Sequence, residues 1–435
     1  MRYSLLAAAL AVAMGSTSFS AAAADNRDQQ IAELKAQLEA MQTKLLELEE
    51  RSDAQSDVNL DTASQLDKLS NGSPKIDTKG GVKVTSADGK FEASVGGRIH
   101  FDTYAFDRDL ASSTGTTEFR RARLTLSGKA YGWEYKMEND FGAGGGLDGF
   151  RDVYIAKSAL GGKFTIGHFK PYRAMEELTS SNELLTMERP FSSATGLFSG
   201  RQFQQGVGYM RAGENYTAGM SVFNLRGAAG TRNEGTGVAG RVTFAPINTD
   251  NSTLHFGAWY SLENNNQGSA DLVATSNYAG RRGPSQVIAT TTGASRNTVD
   301  VMAVEAAGSF GPAFFQAEYA DATYGQPLGR DQNVTTYYVQ GSFMLNGGHK
   351  PYKSATGVFG SPKVADKGLW ELTGRYDYVE NETLNRQVTS WILGMNYYVN
   401  PNLRFMFNYT KGKNEAFANG PDETGQYALR TQIAW

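Results

Sequence analysis

The 435-residue chain contains no cysteine, only 11 prolines and, beyond its first 24 residues, no apolar run long enough for a membrane-spanning helix. The absence of cysteine excludes disulfides, thiolate catalysis and cysteine-ligated metal sites. The absence of a long apolar run means that any membrane insertion must use strands. The formal net charge of −3 gives no electrostatic footprint for nucleic acid, and no motif indicates a metal or other cofactor.

The first 24 residues have the pattern of a secretory signal peptide. Arg2 supplies a positive start, Leu5–Met14 is apolar, and Ala21–Ala24 offers small residues for cleavage before Asp25. Residues 1–24 are therefore left out of the fold, and the mature chain is predicted to cross the inner membrane.

Residues 25–51 show the heptad pattern of a coiled coil. The apolar positions, spaced alternately three and four apart, are Ile31, Leu34, Leu38, Met41, Leu45 and Leu48. A stripe this narrow suits association with the same helix of neighbouring subunits. An amphipathic helix lying on another surface is the alternative. Residues 52–89, rich in Ser, Asp, Asn, Gly and Lys, are predicted to be mostly linker.

From Phe91 the hydrophobic period changes from the helical value to two. In the first such stretch Phe91, Val95 and Ile99 share one face, while Arg98 and His100 take the other. The pattern recurs about sixteen times, which predicts an all-β transmembrane barrel of about 16 antiparallel strands over residues 90–435. The final stretch, Tyr427–Trp435, is apolar on one face and is expected to pair with the first strand and close the barrel.

Alternate connections are tight, and the others are long and polar, as in outer-membrane barrels. One connection, residues 347–366, is long although it falls on the tight side, and the sequence offers no physical reason for it. A second long segment, residues 171–201, is rich in charged and hydroxyl side chains. On its residues alone it is either a loop folded into the pore or a loop on the extracellular surface.

Several motifs resemble the phosphate-selective porin O and P family of outer-membrane proteins. They are Phe119–Leu126, Gly167–Pro171, Glu177–Asn182, Met187–Pro190 and Gly368–Tyr376. The resemblance implies a sixteen-stranded, trimeric porin in the Gram-negative outer membrane, with the N-terminal helix in the periplasm. It also implies that loop 171–201 folds inward as the constriction, and that members preferring phosphate line their path with arginine and lysine.

Strand parity and loop position select the candidate pore residues, because lumen-facing side chains set the selectivity of a pore. The predicted pore-lining and anion-binding bases are Arg98, Arg121, Arg123, Lys136, Lys170, Arg173, Arg189, Arg241 and Arg375. The predicted constriction-loop residues are Glu176, Glu177, Thr179, Ser180, Ser181, Asn182 and Glu188. The loop carboxylates oppose an anion path unless they point at the wall.

The predicted function is a water-filled channel for small hydrophilic solutes, including anions such as phosphate, in a homotrimer surrounded by outer-membrane lipid. One alternative is a general or sugar porin without phosphate selectivity. Another is a barrel anchor whose helix tethers the membrane to a periplasmic partner. Catalysis is not predicted, since none of the four histidines stands beside a recognisable nucleophile motif.

Overall fold

A computed structural model describes residues 24–78, 81–143, 149–193, 197, 202–226, 233–266, 269, 271–292, 296–364 and 367–435. The predicted signal peptide lies almost entirely outside the described residues. The chain divides into two compact units, Met1–Ser73 and Pro74–Trp435. Among the described helices, none combines the length and the apolar character needed to cross a membrane.

The first unit contains one helix, Ala24–Gly72, of 49 residues. At 1.5 Å per residue it is about 74 Å long. All six predicted seam residues are exposed, from Ile31 at 50% to Met41 at 63%. The helix continues through residues 52–72, which corrects the prediction that this stretch is linker. Its Ser, Asp and Asn residues lower helix propensity only modestly, and the segment contains no proline and no glycine before Gly72.

The second unit is a closed barrel in which each strand pairs antiparallel with its neighbours. Sixteen strands form the wall, as predicted. Numbered in chain order, they are β1 Phe91–Asp107, β2 Thr116–Ala130, β3 Trp133–Asp140, β4 Phe150–Ala159, β5 Gly162–Phe169, β6 Gln204–Ala212, β7 Tyr216–Arg226, β8 Asn233–Asn248, β9 Ser252–Asn265, β10 Thr298–Phe310, β11 Ala313–Gly325, β12 Gln332–Met344, β13 Leu369–Asn381, β14 Arg386–Tyr398, β15 Leu403–Asn414 and β16 Gly425–Ala434.

The barrel closes where β16 pairs with β1, from Gly425 opposite Asp107 to Ala434 opposite Arg98. Closure leaves no open strand edge, which the hydrocarbon region of a membrane would not tolerate. Along the strands, apolar side chains such as Met302 and Leu393 are exposed on the outer face, while polar side chains face the lumen. The alternation in the sequence therefore correctly predicted which way the strands face.

Two of the tight connections are two-residue hairpin turns with both residues in the left-handed region. Tyr131 and Gly132 have φ of 50° and 79°, and Leu160 and Gly161 have φ of 54° and 73°. Turns of this kind match the right-handed twist of the flanking strands. The hairpins hold β2 against β3 and β4 against β5, and they mark the short-turn end of the barrel.

Two long connections enter the lumen besides residues 170–203. Residues 266–297 carry a hairpin of Val273–Asn277 and Ser285–Thr290, which is held to the wall by Asn381, whose side-chain amide donates to the carbonyl of Ile288 at 2.9 Å. The 345–368 connection carries a smaller hairpin of Tyr352–Lys353 and Val358–Phe359. Arg241 donates to the carbonyls of Thr356 at 2.8 Å and Gly357 at 2.6 Å. This connection is long because it folds back into the barrel.

Candidate functional site

The inward loop, residues 170–203, crosses the lumen and is fixed to the opposite wall. Its single helical turn, Met175–Leu178, begins at the carboxylate of Glu318 on β11. The backbone N–H groups of Met175 and Glu176 donate to that carboxylate at 3.0 and 2.9 Å, and the hydroxyl of Tyr338 donates to it at 2.7 Å. A carboxylate at the start of a helical turn accepts N–H groups that have no partner within the helix.

A buried ion-pair cluster holds the root of the inward loop. Arg173 is fully buried and donates to Glu263 on β9 at 2.6 Å and to Ser261 at 2.9 Å. Its Nε atom lies 3.7 Å from the carboxylate of Glu177. Burial raises the pKa of Glu177, and Arg173 opposes that shift. Arg173 therefore faces the wall, and Glu177 is buried beside it.

Arginines of the wall hold the second half of the loop. Arg120 makes a bidentate pair with Glu188, at 2.7 and 2.9 Å. Arg430 lies 3.1 Å from the same carboxylate and donates to the carbonyl of Met187 at 2.8 Å. Arg375 donates to the carbonyl of Glu188 at 2.6 Å. Glu188 is half-buried, and the guanidinium groups of Arg120, Arg121 and Arg430 outweigh the effect of burial and hold its pKa well below the ordinary value.

The 345–368 connection packs against the inward loop inside the barrel. Met175 and Leu185 of the loop pack with Phe314 of the wall and with Val358 and Phe359 of the connection. Lys353 forms an ion pair with Glu183 of the loop. Loop and connection together fill the lumen beside β8–β15.

The described residues leave an open passage on the other side, beside β1–β7. A cavity of about 480 Å³ extends from Gly161 at the short-turn end to Gln202 and Phe203. A second cavity, of about 420 Å³, continues toward the long-loop end and shares Arg123, Arg189, Gln202 and Phe203 with the first. The two cavities form one off-centre passage between the wall and the inward loop.

Basic side chains predominate along this passage. The bases lining it are Arg98, Arg120, Arg121, Arg123, Lys136, Arg151, Lys163, Lys170, Arg189 and Arg281, and the acids lining it are Glu138, Asp152 and Glu188. Three carboxylates outside the lining also pair with these bases: Asp140 with Arg123 and Arg151, Glu134 with Lys163, and Glu118 with Arg281. Ten bases against six acids still produce a positive field. In a narrow path with low-dielectric walls, such a field concentrates anions.

Arg98 and Arg123 form the wall of the passage beside the tip of the inward loop. Arg98 donates to Ser181 at 3.0 Å and to Ser180 at 3.3 Å, which brings the tip of the inward loop against β1. Both arginines share the carboxylate of Glu138, at 3.0 Å from Arg98 and 2.9 Å from Arg123. Because Arg123 also pairs with Asp140 at 2.8 Å, these two bases are matched by two carboxylates.

Arg121 is buried without a carboxylate partner in the part of the chain that the structure describes. One of its guanidinium nitrogens lies 3.3 Å from Nδ1 of His100, and its Nε has no acceptor. The other ring nitrogen of His100 lies 3.0 Å from the side-chain oxygen of Asn182. A buried guanidinium with unused donors is expected to attract an anionic ligand, because a buried charge without a partner is costly.

Lys170 and Arg189 donate to backbone carbonyls of the loop. Lys170 reaches the carbonyls of Glu177 at 2.5 Å and Thr179 at 3.1 Å, and Arg189 reaches those of Glu176 at 3.0 Å and Thr179 at 2.7 Å. Carbonyl acceptors fix the side chains but do not cancel their charge. Burial and the mutual repulsion of the two cations lower the pKa of Lys170 well below its ordinary value. Burial also lowers the pKa of Arg189 to about 10.

The model of the family described as phosphate-selective porin O and P matches residues 94–435 of the chain. The chain belongs to this family. Porin O of Pseudomonas aeruginosa is 28% identical over 426 residues, covering 83% of this chain and 92% of that protein.

Solved structures share the fold. An anion-selective porin from Comamonas acidovorans superposes with a TM-score of 0.54 at 14% identity, over 79% of this chain and all of that one. The trimer form of OmpT from Vibrio cholerae has a TM-score of 0.51 at 13% identity, over 79% of this chain and 99% of that one. The protein is an outer-membrane porin of Gram-negative type, and its short turns therefore mark the periplasmic end.

The porin brings together only part of the predicted set of pore residues. Arg98, Arg121, Arg123, Lys136, Lys170 and Arg189 line the passage. Arg173, Arg241 and Arg375 do not line it. Arg173 of the loop pairs with Glu263 of the wall. Arg241 and Arg375 pair with Glu305 and Asp377 of the wall and hold the inserted segments through the carbonyls of Gly357 and Glu188. Parity placed Arg241 and Arg375 on the lumen side correctly, but the distance to a carboxylate, which decides whether their charge is free, depends on the folded structure.

The predicted loop residues serve mainly to fix the loop. Glu176 accepts from Gln316 at 2.7 Å on the far wall, and Thr179 donates to the carbonyl of Met175 at 2.9 Å. Ser180, Ser181 and Asn182 meet Arg98 or His100, as described above. The carboxylate of Glu176 contacts the wall and that of Glu177 is buried beside Arg173, which removes the objection that they oppose an anion path.

Sequence reasoning missed four bases of the passage, namely Arg120, Arg151, Lys163 and Arg281. Arg120 sits at a β-bulge, where the register between β1 and β2 shifts after His100–Arg121. The bulge turns Arg120 inward although strict alternation places it on the lipid face. An arginine on the lipid face is costly, and this cost is a signal in the sequence that a bulge is present.

Proposed function

We propose that the passage conducts small anions in preference to cations, with inorganic phosphate among them. The observation that carries this proposal is the excess of bases along the passage, together with the burial of the loop carboxylates, Glu176 against the wall and Glu177 beside Arg173. Planar guanidinium forks match the oxygen atoms of phosphate. The names of the family and of its relatives point the same way.

In this proposal the anion moves from the arginines at the extracellular mouth to Arg98 and Arg123 beside the tip of the inward loop. Arg121 supplies unused donors, Arg98 and Arg123 present guanidinium groups held by Glu138 and Asp140, and Lys170 and Arg189 keep their charge on carbonyl acceptors. Ser180 and Ser181 present hydroxyl groups beside Arg98 and supply neutral donors for an anion that sheds part of its water.

The test is the reversal potential of the full-length porin in a planar bilayer under a KCl gradient, repeated with added phosphate. The expected result is chloride preference and a reduction of current by phosphate. Arg121→Gln weakens both, whereas Arg330→Gln, which removes an exposed arginine of the β11–β12 loop, leaves both unchanged. An unselective or cation-selective wild-type channel overturns the proposal.

The porin is proposed to be a homotrimer. The trimer form of the Vibrio cholerae relative supports this state, and so does the low wall formed by four consecutive strands, β3–β6, of eight to ten residues each. Eight tilted residues span about 19 Å, less than the apolar band of about 25 Å. Protein neighbours on this side shield it from lipid. Trimers that resist SDS until heated are the expected observation.

The N-terminal helix is proposed to form a parallel coiled coil with the same helix of the other copies, on the periplasmic side. The exposed seam supports this, and its register continues beyond Leu48 to Leu66 and Leu69. Because the chain has no cysteine, Leu38→Cys provides a clean test. Oxidation is expected to cross-link copies through Leu38→Cys, whereas Glu39→Cys on the neighbouring face remains uncross-linked. Equal cross-linking of both variants contradicts the seam.

A further inference from the structure

Part of the passage wall is apolar, which is unusual for a surface facing a water-filled pore. The bases Arg98, Arg123 and Lys136 come from β1–β3. The apolar side chains that line the same cavity come mainly from β4–β6 and the inward loop, and they are Tyr154, Phe169, Tyr172, Leu178, Phe203 and Met210. Lumen-facing positions of porin strands are ordinarily polar. Phe169, Tyr172 and Phe203 are only 4%, 9% and 5% exposed and present ring edges to the path, while Leu178 is half-buried. Apolar edges beside charged groups are typical of ligand pockets.

The barrel wall is shaped to accept this patch. The Phe169 and Tyr172 rings pack with their centroids 5.6 Å apart, against Gly208 of β6 and Gly219 of β7. A Cβ on Gly208 would come within 2.8 Å of the Tyr172 ring, so the wall has no side chain where the rings lie. The Tyr172 hydroxyl lies 3.2 Å from that of Thr165, which fixes the ring.

Phe203 marks the junction of the two cavities and lies between cations. The Arg151 guanidinium is 5.8 Å from the centre of the Phe203 ring, and the Lys170 ammonium is 5.6 Å from it. Arg189, which lines both cavities as Phe203 does, adds a further positive charge at this junction. Aromatic surface and positive charge therefore occur together at one point of the path.

Inorganic phosphate and chloride gain nothing from the apolar side of this arrangement. Both are strongly hydrated, and an apolar wall offers no hydrogen bond in exchange for lost water. An anion that carries an apolar ring gains from both sides, because its charged group meets the bases while its ring leaves water against Phe169, Tyr172 and Phe203. The cavity of about 480 Å³ is in the size range of small-ligand pockets.

We propose that the passage contains a binding subsite for aromatic carboxylates of one ring. The carboxylate pairs with Arg189 and Lys170, and the ring lies against Phe203 and the Phe169–Tyr172 pair. This subsite rests on the proposed anion path and adds a preferred class of organic solute to it. Solutes of this class cross the channel through repeated, short-lived binding, which appears as block of the current carried by smaller ions.

Benzoate and acetate provide the test, since they carry the same charge and differ in the ring. In single-channel recordings of the full-length porin in KCl, benzoate is expected to block at a concentration at least about tenfold below that of acetate. Phe203→Leu, which keeps an apolar side chain without the ring, weakens the benzoate block about tenfold and leaves the phosphate effect unchanged. Tyr319→Leu on the outer face is the matched control.

The remaining outcomes separate this proposal from the proposed function. Equal block by benzoate and acetate, with chloride preference retained, overturns the aromatic subsite alone. Loss of chloride preference in the wild-type channel overturns the anion path and the subsite together. Block by neutral benzyl alcohol as strong as that by benzoate also overturns the subsite, since charge then plays no part. Unchanged conductance of Phe203→Leu in KCl verifies that the variant is folded.

Discussion

The two halves of the lumen differ in how some of their bases are held, although both contain bases paired with carboxylates, such as Arg120 with Glu188 beside β1–β7. Beside β8–β15 the bases lie on carboxylates, as in Arg241 with Glu305 at 2.6 Å and Arg375 with Asp377 at 2.8 Å. Beside β1–β7, Arg121, Lys170 and Arg189 lie on neutral acceptors. The paired half holds the inserted segments in place, and the other half produces a field in the space they leave open.

This contrast shows that the number of bases in a barrel does not measure its selectivity. A guanidinium group whose charge is cancelled by a buried carboxylate holds structure in place and contributes little to the field in the pore. A guanidinium group held by carbonyls has the same rigidity and keeps its field. The four predictions below change one half of the lumen at a time, beginning with the largest expected effect.

The largest effect is expected from breaking the root of the inward loop. Arg173→Met leaves Glu263 and Glu177 buried without their cation, which costs about 3 kcal/mol or more. The loop then loses its position, so the single-channel conductance rises and the ion preference falls. Conductance and heat-induced unfolding in SDS are the measurements, with Arg330→Met as the surface control. Unchanged conductance and unfolding temperature would show that the Arg173 cluster does not hold the loop.

A smaller but more selective effect is expected from Arg121→Gln. Because Arg121 has no carboxylate partner among the described residues, its removal leaves no buried anion behind and the fold is retained. The concentration of phosphate needed to reduce the current rises about tenfold, as for one charge-assisted hydrogen bond. Arg375→Gln, beside β8–β15, is the comparison variant. It is expected to lower thermal stability more than it changes selectivity. Identical selectivity changes in both variants would remove the distinction between the halves.

The next prediction concerns the ion pair of Arg120 and Glu188, which lies between the two halves of the lumen. Arg120→Gln leaves Arg430 as the guanidinium partner of the Glu188 carboxylate, and the net charge of the Arg120–Glu188 pair falls from zero to −1, so chloride preference falls. Glu188→Gln added to Arg120→Gln restores part of the preference, which reversal potentials would measure. If the double variant is no more chloride-selective than Arg120→Gln, Glu188 does not contribute to the field.

The smallest effect is expected from alkaline pH. The pKa of Lys170 is lowered by burial and by Arg189, so its charge is lost at a lower pH than that of an ordinary lysine. The pKa of Arg189 is about 10. Chloride preference therefore declines as pH rises toward about 10, and Lys170→Arg reduces the decline. A preference that is constant over this range in the wild-type porin contradicts the role of Lys170.

The sequence predicted the wall well, because strand alternation is a local property that lipid on one side and water on the other impose on every strand. The sixteen strands, their closure and the family are confirmed. The coiled coil stays a prediction, although the helix that carries it continues to Gly72. The end of the helix was misjudged because polar composition was interpreted as linker, while helix propensity tolerates polar residues.

The content of the lumen was harder to predict, because it depends on contacts between distant parts of the chain. Parity found Arg98 and Arg123 but missed Arg120, which a bulge turns inward. Position on the loop selected Arg173, yet its partner Glu263 lies 90 residues away on β9. The inward position of the 347–366 connection could not be predicted from the sequence, because it depends on contacts with Arg241 and with the inward loop.

Arg430 links the geometry of the passage to the biogenesis of the barrel. It lies on β16 and pairs across the closing seam with Asp102 of β1, 328 residues earlier, at 2.7 Å. The same guanidinium group holds Glu188 and the carbonyl of Met187 on the inward loop. The contacts of Arg430 with the loop are therefore completed only when the first and last strands pair. Before the barrel closes, the inward loop is not fully held in the lumen, so an incomplete barrel is not yet a selective pore.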